Sequence, residues 1–223
     1  MHTETQRTHI KICGITSLED ARFASGALSD YLGYMFYPKS SRYIEPGKAA
    51  AITEWVEGPA NVGVFVDAGI DEVNETAHQS GMDLVQLHGT EVPNYCALID
   101  KPVIKSFSID ADMSAGELKN AVAPYIEHVD YLLFDTKDKN LMGGTGKTFD
   151  WSVLKEIGEE VPYFLAGGIN AKNIREAVKT VQPYAIDISS GVELEPGVKD
   201  FDKLNTLFDE LREIWDLQES NSL

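Results

Sequence analysis

An α/β fold, a single (β/α)8 TIM barrel, is predicted by three features of this 223-residue chain. Short apolar runs alternate with amphipathic stretches, eight of each, from residue 9 onward. The runs are mostly continuous in hydrophobicity, as strands buried on both faces are. No dinucleotide fingerprint accompanies them, which favours a closed barrel over the open doubly wound sheet that is the other way to stack such units.

In chain order the expected strands are His9 to Cys13, Tyr31 to Tyr37, Asn61 to Val66, Leu84 to Leu87, Val103 to Ser106, Tyr131 to Asp135, Tyr163 to Ala166 and Ala185 to Ser189. The expected helices are Ser17 to Gly26, Pro46 to Glu57, Asp71 to Ser80, Pro93 to Ile99, Ala115 to Ile126, Asp150 to Glu159, Ala171 to Val181 and Phe201 to Trp215. Thr16-Ser17-Leu18-Glu19 has the form of a capping box, and Asn170 to Asn173 and Asp150 place cap residues ahead of helical patterns. Trp55, Trp151 and Trp215 all fall in helical stretches and are expected to pack against the barrel. Eight units leave little length for anything else. Residues 1–8 read as a flexible N-terminal tail, 9–217 as the barrel and 218–223 as a flexible C-terminal tail.

Composition narrows the function. Hydrophobic residues make up 43% and charged residues 25%, the balance of an ordinary soluble globular protein. The longest apolar runs, such as Tyr131 to Phe134, fall far short of the roughly 20 residues of a membrane span. Met1 to Thr8 lack the apolar stretch of a secretory signal, so a cytoplasmic location is expected, with no membrane partner. A net charge of −17 argues against nucleic acid, whose phosphates are bound by clustered Lys and Arg. An anionic ligand would have to be held by local groups against that global field. The two cysteines, Cys13 and Cys96, have no second Cys or His at metal-ligand spacing, so both are expected to be free thiols, with no structural metal.

In a barrel of this kind the chemistry sits at the C-terminal ends of the strands and in the loops that follow. Those positions here hold Cys13, the loop from Tyr37 to Arg42, Asp67, His88-Gly89, Ser106, Asp135-Thr136, Gly167-Gly168-Ile169-Asn170 and Ser189-Ser190-Gly191. Glycines after the seventh strand and Ser-Ser-Gly after the eighth suit a phosphate, since glycine lets the backbone approach its oxygens and serine adds hydroxyl donors; ordinary tight turns would look alike. Gly146-Lys147-Thr148 imitates the end of a nucleotide-binding P-loop, but Leu141 and Met142 stand where its leading glycine is needed. The segment from Asp138 to Thr148 reads instead as a cover over a bound substrate. Asp135 closes the apolar run Tyr-Leu-Leu-Phe, a setting that raises a carboxyl pKa and suits a general acid, although a rim aspartate can also simply cap a loop. Cys13 would need to be a thiolate to act as a base, and a lone strand-end cysteine is otherwise a small buried hydrophobe. Lys11 could point toward Cys13 or away from it. Arg42 could take a carboxylate bidentately, and His88 could touch a substrate or merely bond the backbone.

The segments Lys11 to Thr16, Gly33 to Tyr43, Val62 to Val66, Val85 to Gly89, Phe134-Asp135-Thr136, Gly143 to Trp151, Ala166 to Asn170 and Asp187 to Glu193 with Pro196-Gly197 together resemble the phosphoribosylanthranilate isomerase family. The resemblance covers nearly the whole chain. It departs from the family pattern at Leu141-Met142 and in the fifth helical unit, Asp110 to Ile126. The resemblance implies a (β/α)8 enzyme of tryptophan biosynthesis that performs an Amadori rearrangement without metal or organic cofactor. It implies Cys13 as general base, Asp135 as general acid, Arg42 as the group that holds the anthranilate carboxylate, and Gly168 and Ser190-Gly191 as the phosphate loops. His88, Gly167, Asn170 and Ser189 complete the expected substrate-binding set. The expected partner is a small phosphorylated substrate, and the expected assembly a monomer or homodimer.

Two other readings use the same loops. A related phosphosugar barrel, such as an indole-glycerol-phosphate synthase or a ProFAR-type isomerase, fits a single cysteine opposite a single aspartate, with Arg42 beside them, less well. A catalytically silent barrel that senses a phosphorylated metabolite would keep the glycine loops but has no use for Cys13 and Asp135 as a pair.

Overall fold

The structure, a computed structural model, describes residues 7–110, 113–136 and 152–220. Eight parallel strands close into a barrel in sequence order: β1 (His9–Cys13), β2 (Tyr31–Met35), β3 (Ala60–Phe65), β4 (Leu84–Leu87), β5 (Val103–Ile109), β6 (Tyr131–Thr136), β7 (Tyr163–Ala166) and β8 (Ala185–Ile188). The pairing of β1 with β8, from His9 opposite Ala185 to Ile12 opposite Ile188, completes the ring. The helices between and after them are α1 (Leu18–Gly26), α2 (Pro46–Thr53), α3 (Ile70–Gln79), α4 (Pro93–Cys96), α5 (Ala115–Val122), α6 (Ser152–Gly158), α7 (Ile174–Val181) and α8 (Phe201–Ser220). Among the described residues no helix is long and apolar enough to cross a membrane.

Side chains alternate between the two faces of a strand, and in a closed barrel those faces are an inside and an outside. Outward residues such as Ile10, Ile12, Leu32, Val85, Leu132 and Ile186 pack with the helices in one large core. Inward residues Tyr31, Val62, Leu84, Ile104, Leu133 and Phe164 form a second core in the lower barrel. Both faces are buried, which is why the strands read as continuous apolar runs. The inward row turns polar toward the strand ends, and that change of lining places the site.

Several boundaries differ from expectation for local reasons. The fifth helix ends at Val122 and continues as a 3-10 turn from Ala123 to His128, because Pro124 has no N–H to donate and its ring crowds the preceding turn. At α1 the cap is Ser17, whose side chain accepts from the Asp20 amide at 3.1 Å, one residue later than the expected box. A full reciprocal capping box occurs at Ser114 and Glu117. Trp55 does not pack against the barrel: α2 stops at Thr53 and the indole, 66% exposed, sits in the turn beyond. Trp215 does pack, with its Nε1 donating to the Thr8 carbonyl at 2.9 Å and Arg7 stacked on its ring. Arg7 also pairs with Asp30. Thr8 is bonded to Gln218, on a final helix that runs three residues past 217. Trp151 and the expected cover from 138 to 148 lie outside the described residues. After β8 comes an antiparallel pair that the periodicity did not suggest, β9 (Glu193–Glu195) with β10 (Val198–Lys199).

The loop after β4 is locked from below. Lys105, on β5, donates to the Glu91 carboxylate at 2.6 Å and to the Gly89 carbonyl at 2.8 Å, and Glu91 accepts from the Gly89 and Asp67 amides. Both charged side chains are almost wholly buried. Removing one partner of such a pair strands the other charge. Lys105→Met is therefore expected to lower unfolding free energy by about 3 kcal/mol or more, measured by urea titration; a loss under about 1 kcal/mol would mean that Glu91 finds another partner.

Candidate active site

Cys13, Arg42, His88, Asp135, Gly167, Gly168, Ser189, Ser190 and Gly191 all line one cavity of about 230 Å3 at the C-terminal end of the barrel. Strand parity explains the convergence. Lys11 and Cys13 are two residues apart on β1 and share its inner face, as do Gln86 and His88, Leu133 and Asp135, and Asp187 and Ser189. The orientation of Lys11, open from sequence, is thereby decided: it points inward.

Lys11 is fully buried on the barrel axis. Its ammonium donates to Asp187 Oδ2 at 2.9 Å and to Gln86 Oε1 at 2.8 Å. Burial pulls its pKa down, but the Asp187 carboxylate, with the Cys13 thiolate when that forms, outweighs burial and leaves it raised, so the ammonium stays charged at neutral pH. Because an ammonium only donates, Gln86 must present its oxygen to Lys11 and its NH2 to the other side, where it meets His88 Nδ1 at 3.1 Å. Nδ1 is then an acceptor, and the Ser106 hydroxyl, 3.0 Å away, donates to it as well. The ring proton is left on Nε2, which faces Asp135 Oδ2 at 3.7 Å. Burial holds the His88 pKa below its ordinary value against the opposing pull of Asp135, with the cationic Lys11 adding to burial, so the ring is neutral at pH 7.

Cys13 is 7% exposed, opening only into the cavity. Burial pushes its thiol up; Lys11 and Lys199 pull it down, Asp187 opposes them, and the net result is a raised pKa. Its place depends on Gly33 next door on β2, where an added Cβ would stand 2.7 Å from Sγ and 3.0 Å from the Cys13 Cα.

Arg42 stands beside Cys13 and is not loose. Its Nε and Nη2 donate to the two oxygens of Glu193 at 2.8 and 2.6 Å, and Glu193 also takes Lys199 at 3.0 Å. Lys199 in turn donates to the Cys13 carbonyl at 2.6 Å. Arg42 and Lys199 thus bring two cations to one shared carboxylate beside the cavity, in a chain whose net charge is −17. That local excess is what an anionic ligand needs.

The glycine loop after β7 is shaped by backbone conformation. Gly167 and Gly168 have φ of +100° and +65°, and a Cβ on Gly167 would overlap Thr136. Asn170 lines not this cavity but an adjoining one that it shares with Gly168, Ser190 and Gly191; its Nδ2 donates to the Gly168 carbonyl at 3.0 Å and its Oδ1 accepts from the Lys172 amide. It holds the loop. Opposite, the Ser189 hydroxyl is buried and has no partner among the described residues.

Periodicity and strand ends did not single out Gln86, Asp187, Glu193 or Lys199. Asp187 has a second oxygen, Oδ1, that is buried and unpartnered among the described residues, on a side chain that lines the cavity. A signal for Gln86 and Asp187 was present: each is a polar residue inside an apolar strand, two positions before a strand-end candidate. Among the described residues no three His, Cys, Asp or Glu side chains gather as a metal site would require.

Residues 10–210 match the family model described as N-(5'-phosphoribosyl)anthranilate (PRA) isomerase. The N-(5'-phosphoribosyl)anthranilate isomerase of Citrifermentans bemidjiense is 44% identical over 208 residues, 93% of this chain and 98% of that relative. The phosphoribosyl anthranilate isomerase of Thermotoga maritima superposes with a TM-score of 0.81 at 37% identity, over 92% of this chain and 99% of that one. A phosphoribosyl anthranilate isomerase solved in complex with reduced 1-(o-carboxyphenylamino)-1-deoxyribulose 5-phosphate does so with a TM-score of 0.80 at 34% identity, over 92% and 99% of the two chains.

The raised thiol pKa can be read directly. In a Cys96→Ala background, the rate of Cys13 alkylation by iodoacetamide in ligand-free protein should rise with a midpoint above the ordinary cysteine value of about 8.5. A midpoint at or below that value would show that Lys11 and Lys199 outweigh burial.

Proposed function

This chain belongs to the N-(5'-phosphoribosyl)anthranilate isomerase family, and from that premise we propose how its own residues perform the reaction. The enzyme converts N-(5'-phosphoribosyl)anthranilate into 1-(2-carboxyphenylamino)-1-deoxyribulose 5-phosphate, an Amadori rearrangement in tryptophan biosynthesis. The observation that carries the assignment of roles is the single cavity into which Cys13, Asp135, Arg42 and the glycine loops converge.

The substrate has an anionic group at each end. Gly167, Gly168, Ser190 and Gly191 receive the phosphate, and Arg42 receives the carboxylate, so the sugar is held between Cys13 and Asp135. Fixing both ends turns the proton transfers into reactions within one complex. Asp135, protonated, gives its proton to the furanose ring oxygen as the bond from that oxygen to C1′ breaks, leaving a protonated Schiff base at C1′ and a hydroxyl at C4′. The iminium acidifies C2′, and the Cys13 thiolate removes that proton to form an enolamine. Movement of the enol proton to C1′ gives the ketone. The thiol proton of Cys13 and the vacant carboxylate of Asp135 then exchange through solvent, so the enzyme returns to its starting state with no atom gained or lost.

Local electrostatics suit these roles. A neutral His88 with its proton on Nε2 can donate toward Asp135 without adding a full positive charge that would drive the acid to ionise. A buried thiolate is scarce but strongly basic, and Lys11 on the same strand face stabilises it when it forms. The apolar lining from Met35 and Val64 suits an aromatic ring. The unpartnered oxygen of Asp187 and hydroxyl of Ser189 suit a ligand rich in hydroxyls.

Cys13→Ser and Asp135→Asn are each expected to lower kcat by about two to four orders of magnitude, with substrate generated in place. Binding of the reduced product analogue should survive in both. Near-normal turnover in either variant would remove that residue from its role. In Asp135→Asn, where the acid no longer titrates, the residual kcat/KM should fall as pH drops below the raised pKa of Cys13, and a flat profile between pH 7 and 9 in that variant would contradict Cys13 as the base.

A further inference from the structure

Glu193 and Lys199 form a charged pair that the catalytic steps do not use. Both are buried, on the short strands β9 and β10 beyond the eighth barrel strand. A buried ion pair is seldom retained for stability, since well-packed apolar residues often do as well in its place. Its geometry is that of a clamp. A carboxylate has about four lone-pair sites, and Glu193 meets four donors: Arg42 Nε at 2.8 Å, Arg42 Nη2 at 2.6 Å, Lys199 Nζ at 3.0 Å and the Gly197 amide at 3.2 Å. Three of these donors converge on Oε1 and Arg42 Nη2 holds Oε2, and the buried carboxylate does not line the cavity, so Glu193 acts on a ligand there through Arg42. Burial alone would push Glu193 up, but Arg42 and Lys199 outweigh burial and hold it ionised.

The consequence lies on Arg42. A guanidinium has two edges that can grip a carboxylate with paired N–H bonds, the Nε/Nη2 side and the Nη1/Nη2 end. Glu193 occupies the first. Only the end edge is left for the cavity, and the stem of Arg42 lies against Gly14, immediately after Cys13. The same pair reaches the base from below, through the Lys199 bond to the Cys13 carbonyl at 2.6 Å.

We propose that Glu193 is a positioning residue that selects the end edge of Arg42 for the substrate carboxylate, and that with Lys199 it sets the spacing between that carboxylate and Cys13. The inference rests on the assignment of Arg42 to the anthranilate carboxylate. It adds that specificity for a carboxylate-bearing substrate is built into a hairpin outside the barrel strands.

The test compares two ligands by calorimetry. Reduced 1-(2-carboxyphenylamino)-1-deoxyribulose 5-phosphate carries both anionic ends; ribulose 5-phosphate carries the phosphate alone. Glu193→Gln keeps the side-chain shape but places an NH2 against Arg42. It should weaken the first ligand about tenfold or more, as loss of a charge-assisted grip does, and leave the second within about twofold. In turnover, KM should rise more than kcat falls. Because Glu193→Gln leaves Lys199 buried without its anion, the Glu193→Gln, Lys199→Met double variant repeats the comparison with the pair removed; the same split between ligands is expected. Equal weakening of both ligands in both variants, or no weakening of either, would overturn the proposal. Arg42→Ala separates the two levels: if it leaves the carboxylate-bearing ligand unaffected, the role of Arg42 itself fails and this proposal with it. If Arg42→Ala weakens that ligand and Glu193→Gln does not, only the positioning role of Glu193 fails.

Discussion

An ammonium buried on the axis of a barrel has to be met by an anion and by acceptors, and that requirement at Lys11 organises the catalytic end of this protein. Closure of the sheet between β1 and β8 puts Asp187 in register beside Lys11 and supplies the anion. The remaining donor capacity turns the Gln86 amide so that its oxygen faces inward. That orientation makes His88 Nδ1 an acceptor and leaves the ring proton facing Asp135. A single buried charge thus reaches both proposed reacting groups: Cys13 through its field, Asp135 through a chain of polarity that runs across the barrel floor.

Charge is used the same way elsewhere in the molecule. Lys105 with Glu91 fixes the loop that carries His88 and Gly89, and Lys199 with Glu193 fixes Arg42 and the end of β1. Each pair is buried, where exchange for apolar packing would often cost nothing in stability. What such pairs supply is direction, because charged donors and acceptors have to be met at defined angles and distances. The exterior is strongly acidic, while these interior clusters keep positive charge beside the cavity. On the proposed reading, a doubly anionic substrate meets these local groups in spite of the overall field.

Much of the site was legible one strand at a time. Cys13, His88, Asp135 and Ser189 end apolar runs, and in a parallel barrel every strand end faces the same rim, so position in the run was enough to nominate them. The glycine pair after β7 was legible from the backbone it requires. What could not be read was which neighbour each group meets. Asn170 belongs to the same loop as Gly168 and also donates to its carbonyl, a bond no spacing announces. Arg42 was nominated as a carboxylate ligand, and the carboxylate it meets in the structure is Glu193, 151 residues away in sequence. The fifth helix shortened at Pro124 and the indole of Trp55 faced solvent, because a proline and a helix end override the periodicity of the residues around them.

The sequence by itself determined the architecture and the rim. Eight alternating units buried on both faces have few ways to hide their apolar surface, and closing the sheet is the one that brings all strand ends together. Only the tertiary structure decided the inward turn of Lys11, the tautomer of His88 and the edge of Arg42 that faces the cavity. Those choices depend on contacts between β1 and β8, β1 and β4, and the loop after β2 with β9. Hydrogen bonding is directional and acts between groups that chain closure alone makes neighbours, so no local pattern of residues could contain it.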